Sequence, residues 1–205
     1  MTSWISNERV IWLGWLAFPL FVAGLVGFTI IDIVVAMSDT ILPAYIKPIE
    51  GVISFILFVA FLLGIRSFAL LKSDSDLRKN VNTLILIGLL EVILLYPYYL
   101  PLYFEQNFLT VLLIASLPII CINGIALTHI ARSFVKYIPE LGSRAKQIVW
   151  WNRTAGWMFA SIILIIPAFI PAFIGEFFLW RFLAEQRKAT ASSPQPFSTI
   201  PQEAL

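Results

Sequence analysis

The chain reads as an all-α, polytopic integral membrane helical bundle with about five transmembrane helices, the last of them Pro-kinked or re-entrant. Three observations carry that reading. Of its 205 residues 60% are hydrophobic and 13% charged, about half the ~25% charge of a soluble domain. Mean hydropathy is +0.88. The apolar residues gather into five runs, each long enough at ~1.5 Å per residue to cross a hydrocarbon core ~30 Å thick. Such runs must be helical, because lipid offers the backbone no hydrogen-bond partners.

Taken in order, residues 1–188 form the membrane-embedded bundle, with spans expected near 10–37, 48–71, 81–103, 108–134 and 154–183. The first run is far longer than the ~7–15 residues of a signal-peptide core, so it reads as a retained span. Gly14, Gly24 and Gly27 on it suggest close helix contacts, since small residues let backbones approach in lipid. Asp32 falls near its outer end, within reach of Lys47 or water. On the second span Arg66 lies ~7 Å from the inner end. On the third, Glu91 lies ~15 Å deep, where a carboxylate is costly and marks a functional candidate. Arg66 and Glu91 sit on adjacent antiparallel spans and form one candidate pair. Alternatively Arg66 snorkels to the headgroups and Glu91 bonds another helix.

The third span ends in "YPYYLPLYF". Tyr96, Tyr98, Tyr99 and Tyr103 with two prolines make an aromatic shelf, read as the outer interfacial belt or as a seat for a flat ligand. The fourth span carries His129 near its inner end, an interfacial hydrogen-bonder or a proton relay. The loop after it, "RSFVKYIPELGSRAKQIVWWNRT", mixes cations with aromatics and is broken by Pro139 and Gly142. Lys136, Arg144, Lys146, Trp150, Trp151 and Arg153 are expected to lie along a leaflet and meet anionic lipids.

The last run holds Pro167, Pro171 and Glu176. Either the prolines kink one long span, or two halves of about twelve residues, each ~18 Å of helix, dip in and return. In the second case Glu176 approaches carbonyls freed by the prolines, as in the broken helices of transporters. The tail 189–205 is Ser/Pro-rich and polar.

Lys and Arg crowd the second and fourth loops and are nearly absent from the first and third. The positive-inside rule therefore puts the N-terminus in the cytoplasm. The C-terminus is left open, because Arg181, Arg187 and Lys188 follow the last span. Trp4, Trp12, Trp15, Trp150, Trp151 and Trp157 fall toward the inner interface.

One cysteine and one histidine argue against structural zinc, iron–sulfur and bis-histidine haem sites. A net charge of +2 argues against nucleic acid. No catalytic motif emerges. The expectation is a non-catalytic accessory, assembly or scaffold subunit, associating with other membrane subunits or with itself. The alternative is a small ion- or proton-coupled transporter or channel working as a homo-oligomer.

Overall fold

The computed structural model describes residues 6–38, 46–99, 106–161 and 164–192, and every regular element among them is helical. In chain order these are α1 (Asn7–Ser38), α2 (Ile46–Leu71), α3 (Ser75–Tyr99), α4 (Gln106–Val135), the single turn α5 (Ile138–Leu141), α6 (Ser143–Ala160) and α7 (Ile165–Ser192). The first three expected runs fall on α1, α2 and α3 and the fourth on α4. By length and apolarity alone, α1, α2, α4 and α7 qualify as membrane-spanning among the described residues, four in number. An integral membrane protein follows from them. Helices α3 and α6 carry more charge.

Neighbouring helices run antiparallel, and their contacts show it directly. Between α1 and α2, Phe21 meets Phe58, Phe18 meets Phe61 and Gly14 meets Gly64. As one number falls the other rises. The Gly14–Gly64 crossing is tight enough that a Cβ on Gly14 would stand 2.7 Å from the Gly64 Cα. This is the close approach expected of Gly14. Gly24 and Gly27 make no such contact: a Cβ would meet only its own helix's Phe28 at the former and open space at the latter.

The segment expected as a fifth span, 154–183, is divided. Helix α6 ends at Ala160 and α7 begins at Ile165. The two then pack side by side as a hairpin, with Arg144 paired to Glu185, Asn152 against Gly175, and Phe159 against Phe169 at 5.2 Å. Neither proline makes the break. Pro167 lies in the first turn of α7, where an amide donor has no helical partner to lose. Pro171 lies within α7. The hairpin arms also exceed two twelve-residue halves: α6 has 18 residues and α7 has 28, about 27 and 42 Å.

Helix α6 was hidden within the basic loop. Its buried residues Ala145, Ile148, Asn152, Ala155, Gly156 and Phe159 recur at helical spacing, while Arg144, Lys146 and Arg153 occupy the other face. It docks on α4 through two glycines. A Cβ on Gly124 would lie 2.7 Å from the Gly156 carbonyl oxygen, and one on Gly156 would collide with the Thr128 hydroxyl. Gly142 separates α5 from α6 with φ 61 and ψ −131, a conformation open to glycine. Pro139 sits inside α5 and breaks nothing.

The six long helices close into a ring, each packed on the next in the order α1, α2, α3, α4, α6, α7, with α7 returning to α1 and also touching α2. Both the start of α1 and the end of α7 lie at one end of the bundle, where Arg187 stacks over Trp15 at 4.3 Å. This is termed the basic end, since Lys72, Arg78, Arg132, Lys136 and Arg144 also lie there. The opposite end is the far end. Trp157 is thereby placed ~21 Å along α6 from its basic-end start, well away from the interface expected for it.

Candidate functional site

The two ends of the ring are filled differently. At the basic end Phe68, Phe134, Tyr137 and Phe182 pack edge to face or tilted, with centroids 4.6 to 5.8 Å apart. All four are buried. These rings from α2, α4, the following turn and α7 plug the centre. Toward the far end the ring holds a cavity of about 590 Å³ between α1, α2, α3, α4 and α7. That volume is in the range of small-molecule sites.

Its wall is built by helical spacing. On α7, Phe169, Ala172, Phe173 and Glu176 line it, and positions separated by three, four and seven share a helix face. Gly175 explains how that face is aimed. A Cβ there would lie 2.9 Å from Asn152 Nδ2, so glycine lets α6 dock on this side of α7. The next residue, Glu176, is rotated by ~100° into the cavity. Helix α2 contributes Glu50, Ser54, Phe55 and Phe58, helix α1 contributes Phe21, and helix α4 contributes Asn123.

The polar groups of the cavity are under-partnered. Asn123 Oδ1 is buried and accepts no hydrogen bond, a state that costs about 1–3 kcal/mol unless a ligand or water donates to it. Asn152 Oδ1, behind Gly175, is likewise buried without a donor, although its Nδ2 donates to the Ile148 carbonyl at 2.9 Å. Glu50 has a partner of its own. Among the described residues no lysine, arginine or histidine lines it.

Of the intramembrane candidates whose side chains are described, Glu176 lines this cavity. Arg66 is half-buried on α2 and lines no part of it. Asp32 has a partner elsewhere. The His129 ring is exposed, while its carbonyl accepts from Asn80 Nδ2 and Ser133 Oγ, each at 3.2 Å. The side chains of Glu91, Tyr96, Tyr98 and Tyr99, and the whole of Tyr103, lie outside the described residues. The Glu91–Arg66 pair and the aromatic shelf therefore lie outside them too.

The basic segment is partly consumed by the fold. Lys136 Nζ pairs with Asp74 Oδ1 at 2.6 Å, and Arg144 pairs with Glu185. Lys146, Arg153 and Trp150 stay exposed, Trp150 edge-on to Trp151 at 4.4 Å.

Asp74 is the polar centre that sequence reading missed. Helix α2 ends in a paired-turn cap: Ser73 N–H donates to the Leu70 carbonyl and Asp74 N–H to the Ala69 carbonyl, with Ser73 at φ 53. The chain then reverses, and Asp74 caps α3, its Oδ1 accepting from Leu77 N–H at 3.0 Å. Oδ2 accepts from the Tyr137 hydroxyl at 2.6 Å. The α2–α3 turn is thus tied to the α4–α5 turn over the aromatic plug, and Lys72 adds an exposed pair with Glu140 at 2.6 Å. Burial alone would raise the Asp74 carboxyl; the Leu77 amide, Lys136 and Tyr137 outweigh it and hold it below the usual carboxylate range. Burial, followed by the bond to Asp74 and its charge, pushes the Tyr137 hydroxyl well above the usual phenol range. The available signal was an aspartate directly before a helical run, an N-cap pattern.

Among the described residues no three His, Cys, Asp or Glu side chains gather as a metal set. The comparisons leave this geometry as the sole basis for a functional reading: no family model, no curated protein and no solved structure matches the chain.

Proposed function

We propose that the protein is a non-catalytic membrane carrier for a small molecule, with six membrane-crossing helices and the basic end in the cytoplasm. The observation that carries this reading is the cavity of about 590 Å³, stoppered at one end by the aromatic plug. A ring of antiparallel helices blocked at one end and hollow toward the other has the shape of one state in an alternating-access cycle. It favours the transporter alternative over the accessory role. Five helices of one chain line the cavity, so the homo-oligomer that a five-span chain would have required is unnecessary.

Charge supports the orientation. With the α6–α7 hairpin crossing and returning, Arg181, Arg187 and Lys188 join the other cations on one side, as the positive-inside rule asks. Single cysteines at Ser75, Ser143, Leu164 and Lys188 in a Cys121→Ser background test it. Impermeant maleimide should label Ser75, Ser143 and Lys188 from the cytoplasmic side and Leu164 from the other. Labelling of all four from one side would reduce the hairpin to a re-entrant element. The carrier role is tested by filling the cavity: Ala172→Trp should abolish small-molecule binding in nanodiscs without unfolding the protein.

The accessory reading keeps one support. Helix α1 has the least buried of the four apolar stretches, and its Gly24 and Gly27 touch no other helix. Native mass measurement after mild extraction decides it, since a stable lone monomer is incompatible with an obligate subunit.

A further inference from the structure

We infer that the ligand of this cavity is a lipophilic ammonium ion, an amine carrying aromatic or branched apolar groups, with Glu176 as its counter-charge. The inference rests on the carrier reading and names the substrate class for it.

The lining has an unbalanced polarity. It presents the carboxyls of Glu50 and Glu176 and the orphan Oδ1 of Asn123, and among the described residues it presents no cationic side chain. Glu50 has a partner of its own, which leaves Glu176 as the counter-charge. That residue lies eleven positions before Arg187, the residue stacked at the basic end, hence ~16 Å along α7 from it. Carboxylates at such depth pair with a cation or face a cavity. Among the described residues no cationic side chain lines the wall, and a cationic ligand is the partner this arrangement calls for.

Two further features select the same chemistry. Acceptors exceed donors: an N–H-bearing cation can donate to Glu176 and to Asn123 Oδ1 and also offset the carboxylate's charge, whereas a neutral solute leaves that charge uncompensated and an anion opposes it. The apolar part of the wall mixes aliphatic side chains with rings, Phe21, Phe55, Phe58 and Phe173 among them. Ring faces attract ammonium groups and bury apolar substituents together. An anion would meet two carboxyls in a low-dielectric space and is excluded by repulsion.

Three near-isosteric probes separate the possibilities: diphenylpropylamine, diphenylpropanol and diphenylpropanoate, titrated onto the full chain in zwitterionic nanodiscs against empty discs. The amine is expected to bind at least about tenfold tighter than the alcohol, a difference of about 1.4 kcal/mol, and the carboxylate not at all. Glu176→Gln should abolish the amine's preference over the alcohol. Asn123→Leu, which removes the orphan acceptor, should weaken the amine a few-fold. Equal binding of all three probes, or an amine affinity untouched by Glu176→Gln, overturns the inference and leaves the carrier reading standing. Binding of none of the three, or binding that persists in Ala172→Trp, overturns the carrier reading and this inference with it. An unfolding midpoint in mixed micelles equal to that of the wild type is the folding control for Glu176→Gln.

Discussion

Replacing Asp74 by alanine removes three interactions at once, and their sizes are separable. The N-cap bond to Leu77 N–H is worth about 1 kcal/mol. The bond from the Tyr137 hydroxyl goes to an ionised acceptor and leaves a buried donor when broken, worth about 1.5–3 kcal/mol. The Lys136 pair has one half-exposed partner, 46% against 2% for Asp74, and adds less than about 1 kcal/mol. Asp74→Ala should therefore destabilise the protein by about 3–4 kcal/mol. Asp74→Asn keeps a cap and an acceptor for Tyr137 and should cost less than half of that. Equilibrium unfolding in mixed micelles with a rising SDS fraction reads both. A cycle with Tyr137→Phe should return a coupling above about 1 kcal/mol, the sign of direct contact. The sign of the pH effect follows from the lowered carboxyl. Its stabilisation is fully present above the unfolded aspartate value near ~4 and is lost as pH falls through the folded value. The wild type should thus lose stability in acid more steeply than Asp74→Asn. An Asp74→Ala variant within about 0.5 kcal/mol of wild type would show that the turns are held together by the aromatic plug alone.

Gly156→Ala places a methyl 2.5 Å from the Gly124 carbonyl oxygen, so α6 must move off α4. A loss above about 2 kcal/mol in the same assay is expected, and Gly27→Ala, facing open space, should be neutral. The raised Tyr137 hydroxyl contributes stability fully present below ~pH 10 and lost as pH rises beyond it; ultraviolet titration should show a late, high-pH phenol transition that is absent in Tyr137→Phe. Ser73→Val forces a β-branched residue to φ 53 and should destabilise by about 1–2 kcal/mol in micellar unfolding, while Ser73→Gly should not. Trp180→Phe deletes the 2.9 Å bond from its Nε1 to the Trp15 carbonyl and should cost about 1 kcal/mol, read by loss of compactness between α1 and α7 in limited proteolysis.

How the site hid in the sequence is clearest at Glu176 and Asn123. Glu176 was visible because a carboxyl in an apolar run violates composition. The cavity that gives it meaning was not, because it is made by five helices meeting at distances no linear pattern encodes. Asn123 carries no charge and breaks no run, so nothing flagged it. Asp74 sat in a loop where aspartate is ordinary, and its importance comes from Tyr137, sixty-three positions away.

The amino-acid order by itself determined that this is a helical membrane protein and where α1 to α4 run. Those features depend on local apolarity and on the backbone's need to satisfy its own amides in lipid, which each segment does without help from the others. The tertiary structure decided that the last segment is a hairpin. Between the end of α6 at Ala160 and the start of α7 at Ile165 the sequence has neither glycine nor proline, and α6 is too charged to register as apolar. What holds α6 upright is its glycine contact with α4, its seat on Gly175, and the Arg144–Glu185 pair. Those are relations between surfaces, and they exist only once the ring has closed.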